Sequence, residues 1–135
     1  MPTSIDRDAF YRCFEEAIGV SPEEISLDKR ILEDLGADSI DLLDLVLNLE
    51  QTFSVRIPRG EFERAAREAL GEAPFEVNGL ITEEGLEQLR KYMPEAAEDI
   101  RPGLHLNRIP ELFRVSTFYN LVAKLVEETN AAKGS

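Results

Sequence analysis

Leu35-Gly36-Ala37-Asp38-Ser39-Ile40-Asp41-Leu42-Leu43-Asp44-Leu45 is the stretch on which the rest of the chain turns. It reads as a loop that ends at a serine and passes directly into a long helix. Gly36 permits a backbone turn that a Cβ would resist. Ser39 stands where a helix N-cap is expected, with an apolar run behind it. A serine at a helix start is partly exposed, and the neighbouring backbone N–H groups favour an anion. Ser39 is therefore a candidate attachment point for a phosphate-linked group.

The helix behind it spans residues 39 to 53, roughly 22 Å at 1.5 Å per residue. Leu42, Leu45, Val46, Leu49 and Phe53 recur at helical spacing, and Leu43 and Leu47 widen that stripe. Asp41, Asp44, Asn48 and Gln51 fall on the other side. Between Arg30 and Arg56 there is no basic residue, while Glu33, Asp34, Asp38, Asp41, Asp44 and Glu50 all lie there. A charge run on a helix is commonly a solvated face. Here one sign is excluded beside the candidate serine, and on this pattern alone a solvated face and a surface that docks basic partners both stand open.

Gly36-Ala37-Asp38-Ser39-Ile40-Asp41, followed by Leu45, Leu49, Glu50, Phe53 and Ile57-Pro58, resembles the acyl carrier protein family. The match is dense and in register over about 25 residues, and so more specific than one short motif. It extends from near the start to about Ala66, and again from about Phe113 to Glu128. The resemblance implies an all-α, four-helix carrier bundle. It implies that Ser39 carries 4′-phosphopantetheine, transferred from coenzyme A and held through a phosphodiester. It also implies that Asp38, Asp41 and Asp44 help to dock a phosphopantetheinyl transferase and acyl-handling enzymes such as a ketosynthase, acyltransferase or acyl-ligase. Carried over by position, Ile31, Val46, Leu49, Ile57, Phe62 and Leu121 line the seat of the acyl chain. Each of them also reads as ordinary core, and the two readings can hold together. Two positions depart from the family: Leu42 is large where a small or polar residue is usual, and Phe62 is bulkier than usual.

Towards the N-terminus, residues 4 to 18 form an amphipathic helix. Ser4 is its candidate cap, and Ala9, Phe10, Cys13, Phe14, Ala17 and Ile18 lie on one stripe. Cys13 within that stripe reads as a small buried hydrophobe rather than a reactive thiol. Gly19 ends the helix. The loop from 20 to 38 holds Ile25, Leu27, Ile31, Leu32 and Leu35, too many aliphatics for a free segment, and is expected to be pinned onto the bundle.

Towards the C-terminus, Pro58 disfavours helix at Ile57, and helical character resumes over 59 to 70 with Phe62, Ala65, Ala66, Ala69 and Leu70. Arg56, Arg59, Arg64 and Arg67 mix here with Glu61, Glu63 and Glu68, where the family has an acidic helix. Residues 71 to 112 have no counterpart in the family pattern. Gly71, Pro74, Asn78 and Gly79 punctuate a loop. Thr82 caps a helix to about Met93, Pro94 stops it, and shorter helical segments are expected over 95 to 100 and 109 to 113. The segment is too rich in spaced aliphatics to be a disordered linker. Residues 116 to 129 close the fold, capped by Ser116 or Thr117, with Phe118, Leu121, Val122, Leu125 and Val126 as the buried face. Asn130 to Ser135 has the composition of a tail.

The chain has 135 residues, 15 basic and 27 acidic, for a net charge of −12. That acidity argues against nucleic acid and against anionic membrane as partners, because phosphate binding calls for Lys and Arg. One cysteine excludes an internal disulfide. No basic leader precedes an apolar run and no apolar stretch reaches membrane-spanning length, so a cytoplasmic protein is expected. There is no Gly-x-Ser-x-Gly setting around Ser39, no phosphate-binding glycine loop and no Cys/His metal spacing. His105, the one histidine, is read as structural rather than catalytic.

The expectation is thus a single, monomeric, non-enzymatic carrier domain over 1–135. Its core is 4–70 and 113–129, with an inserted helical segment of about 71–112 that confers partner or chain specificity. Fatty acid, specialised lipid and polyketide synthesis all fit. The reading from another class is an unmodified helical adaptor that docks through the acidic helix face. A hydrolase built on Ser39 and His105 ranks behind both.

Overall fold

The computed structural model describes residues 5–58 and 60–134, with side chains described as far as Asn130. It is mostly helical: α1 (Arg7–Ile18), α2 (Ser39–Phe53), α3 (Glu61–Leu70), α4 (Glu83–Tyr92) and α5 (Val115–Gly134). A two-stranded hairpin, β1 (Glu76–Val77) and β2 (Leu80–Ile81), and three 3₁₀ segments complete it. The all-α expectation holds. The chain divides into two compact units, residues 1–57 with 114–135, and residues 58–113.

In the first unit, α1 starts at Asp6, whose carboxylate accepts the N–H groups of Asp8 (3.0 Å) and Ala9 (3.2 Å). Ser4, the expected cap, lies outside the described residues. Gly19 closes the helix at φ 84°, a left-handed conformation that costs a Cβ-bearing residue about 1 kcal/mol. Phe10, Cys13 and Phe14 are buried at i, i+3 and i+4. The Phe10 ring meets Phe14 at 5.0 Å and Tyr119 of α5 edge-on at 5.3 Å. Ile31, Leu45, Leu49, Val115 and Val122 are fully buried with them.

Cys13 is 2% exposed, and its thiol contacts the Ala9 carbonyl and the Thr52 hydroxyl, each at 3.4 Å. Burial pushes the thiol pKa above its ordinary value, because the thiolate would lose its hydration.

The loop before α2 is pinned, as its aliphatics suggested. Ile25 and Ile31 are buried, and the N–H groups of Val115 and Ser116 donate to the carbonyls of Lys29 and Leu27, both at 2.9 Å. Arg30 and Arg114 pair in the same antiparallel stretch. The start of α5 differs from expectation. The helix begins at Val115, and Thr117 is buried inside its first turn, where its hydroxyl accepts the Arg114 N–H at 3.0 Å.

The second unit has its own core. Phe75, Leu86, Leu89, Met93, Ile100 and Ile109 are buried around Ala66 of α3. Phe62 packs against this cluster, its ring 5.8 Å from that of Phe113. The compact unit begins at Pro58 and so holds α3 together with residues 71–112.

Asn78-Gly79 turns the hairpin with φ of 53° and 88°, and Val77 faces Leu80 in its register. Positive φ at both central residues is what a tight two-residue turn between right-twisted strands requires. Leu104–Leu106 runs beside the hairpin: the Ile81 N–H donates to Leu104 (3.1 Å) and the Leu106 N–H to Gly79 (2.7 Å). Thr82 caps α4 as expected, its hydroxyl accepting the Gly85 N–H at 3.0 Å. The Arg90 guanidinium reaches over to the Ile100 carbonyl at 2.7 Å.

Candidate functional site

The site is built by the turn that leads into α2. Arg30 and Ile31 hold it from below: the Asp34 and Leu35 N–H groups donate to the Arg30 carbonyl, and the Ala37 N–H to that of Ile31. Gly36 makes the bend at φ 74°, and Ala37 is buried. The chain then surfaces at Asp38 in an extended conformation, and α2 starts at Ser39.

Ser39 is not the N-cap; Asp38 is. The Asp38 carboxylate accepts the Asp41 N–H at 2.8 Å, and the Asp41 carboxylate accepts the Asp38 N–H at 3.2 Å. A carboxylate caps as well as a hydroxyl does and its charge suits the positive end of the helix dipole, so Asp38 takes the position. An acid three residues on completes the reciprocal pair. That Asp-x-x-Asp spacing was the available signal.

Ser39, displaced by one residue, is exposed in the first turn. Among the described residues its hydroxyl has no hydrogen-bond partner, and the N–H groups of Ser39 and Ile40 have no acceptor. An exposed, uncommitted hydroxyl beside two unfilled N–H donors at a helix start fits a phosphodiester.

The faces of α2 are divided differently from the sequence reading. Leu45 and Leu49 are buried, but Leu43 and Leu47, expected to widen the buried stripe, are 41% and 48% exposed, and Ile40 is 69% exposed. Residues 40, 43 and 47 share one side at i, i+3, i+7 spacing. They form an apolar ridge running down the helix from Ser39, with Asp44 beside it.

The family model for a phosphopantetheine attachment site matches residues 8–67. The chain is 45% identical over 49 residues to the acyl carrier protein of Campylobacter hominis, covering 36% of this chain and 62% of that one. It is 47% identical over 49 residues to that of Campylobacter concisus, covering 36% and 64%. It is 45% identical over 51 residues to that of a Sulfurovum species, covering 38% and 68%. The chain belongs to the acyl carrier protein family. It spans a little under two thirds of the length of the first two relatives. No solved structure matches it significantly.

The prosthetic group for which this carrier protein has an attachment site is a covalently bound 4′-phosphopantetheine. Of the six acids in its base-free stretch, five have partners. Glu33 and Asp34 pair with Arg30, at 2.7 and 3.3 Å. Asp38 and Asp41 cap each other, and Glu50 accepts the Ile57 N–H. The Asp44 carboxylate is exposed and has no partner among the described residues.

Of the expected acyl-seat residues, Ile31, Val46, Leu49, Ile57 and Leu121 share the first unit, and Phe62 belongs to the second. Ile31 and Leu49 are fully buried, Ile57 and Leu121 are 9% exposed, and Val46 is half-buried. His105 works inside the second unit, its ring Nδ1 2.9 Å from the Asn107 side-chain oxygen. Among the described residues no helix is long and apolar enough to cross a membrane.

Proposed function

We propose that this protein carries acyl groups on a 4′-phosphopantetheine arm attached to Ser39. The observation that supports this reading best is the uncommitted, exposed Ser39 hydroxyl in the first turn of α2. A phosphopantetheinyl transferase with magnesium would direct that oxygen onto the nearer phosphorus of the coenzyme A pyrophosphate. An O–P bond forms at Ser39, the P–O bond to the adenosine 3′,5′-bisphosphate half breaks, and the hydroxyl proton passes to the transferase. The arm's thiol supplies the thioester chemistry.

The protein's own residues hold and present the arm and are not themselves the catalyst. Asp38 and Asp41 keep the helix start formed. Asp44, with Ile40, Leu43 and Leu47, offers a partner one carboxylate on an apolar ridge, suited to an acyl-handling enzyme with a basic residue beside an apolar depression. Ile31, Val46, Leu49, Ile57 and Leu121 are the aliphatic side chains against which an acyl chain would lie, each buried methylene contributing about 0.8 kcal/mol before the space is opened. Phe62 is committed to the cluster around Phe113 and is left out of that set. Its place would be in fatty acid, specialised lipid or polyketide synthesis, in the cytoplasm and as a monomer. Residues 71–112, which have no counterpart in the family pattern, are the addition that would set its choice of partner.

The test is intact mass after incubation with coenzyme A, magnesium and a broad-specificity phosphopantetheinyl transferase, beside Ser39→Ala. The expected result is a gain of one phosphopantetheine that vanishes in the variant. No gain on a folded sample with several transferases would leave the unmodified adaptor, docking through the same ridge.

A further inference from the structure

The turn that ends α2 is held by a single residue. Ser54 adopts a left-handed conformation at φ 54° and donates its N–H to the Glu50 carbonyl. The Val55 N–H donates to the same carbonyl at 3.2 Å. The Ile57 N–H donates to the Glu50 carboxylate at 2.7 Å, in a partly buried position. Three amides of the turn thus converge on Glu50, one of them on its side chain. That length is typical of a charge-assisted bond, about twice as strong as a neutral one. The side chain it anchors, Ile57, is 9% exposed, and the next residue, Pro58, opens the second unit.

In sequence Glu50 is one more acid on α2, equivalent to Asp44. In the structure the two differ in kind: the Asp44 carboxylate has no partner among the described residues, and that of Glu50 is occupied. We propose that Glu50 is a positioning residue that fixes Ile57 at the end of the acyl seat, and that it is not a recognition charge for partner enzymes. The proposal rests on the carrier reading above.

Glutamine at position 50 keeps an oxygen that can accept the Ile57 N–H but removes the charge; alanine removes both. A clamp is therefore rescued by glutamine, and a recognition charge is not. Three measurements on the full chain separate the cases. First, amide exchange at Ile57 in the unmodified protein should be slow in wild type and Glu50→Gln. It should be faster by about tenfold or more in Glu50→Ala, where a partly buried N–H loses a charged acceptor. Second, the KM of the transferase for the protein should be unchanged in Glu50→Gln and raised several-fold in Asp44→Asn. Third, hydrolysis of an octanoyl thioester on the modified protein should be several-fold faster in Glu50→Ala than in wild type, and restored in Glu50→Gln.

A Glu50→Gln variant as impaired towards the transferase as Asp44→Asn overturns the proposal. So does octanoyl hydrolysis that ignores position 50 while Ile57 exchange responds to it. Should Glu50→Ala fail to fold, the comparison of Glu50→Gln with Asp44→Asn still decides. Should wild type take up no phosphopantetheine, the carrier reading fails, and Ile57 exchange alone tests the clamp.

Discussion

Asp38 and Asp41 each accept the other's backbone N–H, at 2.8 and 3.2 Å, across the start of α2. The arrangement satisfies two helix-start donors and leaves the intervening Ser39 hydroxyl out of the cap. Asp38→Ala should destabilise the protein by about 1 kcal/mol, and Asp38→Asn by much less, because an amide oxygen also caps. Urea unfolding followed by far-UV circular dichroism measures both. Equal losses in the two variants would show that the carboxylate charge, rather than the acceptor, stabilises this helix start.

The loop below Ser39 should loosen in acid. The Arg30 backbone N–H donates to the Asp34 carboxylate at 2.8 Å, and the Arg30 guanidinium lies beside it. These hold the Asp34 pKa below its ordinary value of 3.8. The unfolded chain therefore takes up the proton first as pH falls. The stability Asp34 contributes is present above pH 3.8 and is lost as pH drops through the lower, folded value. The effect is small, since water screens the exposed pair. Urea midpoints from pH 7 down to 3 should converge for wild type and Asp34→Asn at the acid end.

Gly79 is a position where alanine fails for two separable reasons. Its φ is +88°, and a Cβ there would run into the His105 imidazole at Nε2 and Cε1. Gly79→Ala should cost about 1–2 kcal/mol from the backbone alone, with the steric clash added. His105→Ala in the same chain should recover the steric part and leave the backbone part. Thermal unfolding of the two single variants and the double variant gives the split as a coupling energy.

The two kinds of leucine on α2 should separate cleanly. Leu45 is fully buried, and Leu45→Ala should cost about 2–5 kcal/mol. Leu43 and Leu47 are more than two fifths exposed, so Leu43→Ser and Leu47→Ser should stay within about 0.5 kcal/mol of wild type. On the carrier reading, the same two serine variants should slow phosphopantetheinyl transfer while Ser39 stays intact. An unchanged transfer rate would remove the ridge from partner recognition.

Much of the fold was legible because its signals are local. The spans of α1, α2 and α4, the Thr82 cap, the stop at Pro94, the pinned loop before Ser39 and the burial of Cys13 all follow from spacing and punctuation within a few residues. The cap at Asp38 was equally local but was masked by Ser39, an equally good cap one position on. Leu43 and Leu47 could not be placed because apolar residues fill so much of 40–49 that the stripe has no sharp edge. The hairpin had its Asn78-Gly79 signal, but strands of two residues each are too short to show alternation. Phe62, Ala66 and Leu70 have the right period for a buried face, and periodicity names a face without naming what covers it. The division of the acids between Asp44 and Glu50 rests on a contact seven residues away in sequence, from Glu50 to Ile57, which no local pattern encodes.

The burial of Cys13 has a practical consequence for labelling chemistry. It is the one cysteine of the chain, it is 2% exposed, and its thiol is held protonated by its surroundings. The native polypeptide therefore offers maleimides and aromatic disulfides no quick target at neutral pH. On the carrier reading, any sulfhydryl that reacts within minutes on the folded protein would belong to the arm proposed on Ser39. A colorimetric thiol titration before and after denaturation would then count arms and chains separately, one equivalent each in a fully loaded sample. Blocking that thiol with an acyl group would silence the fast equivalent and leave the slow one.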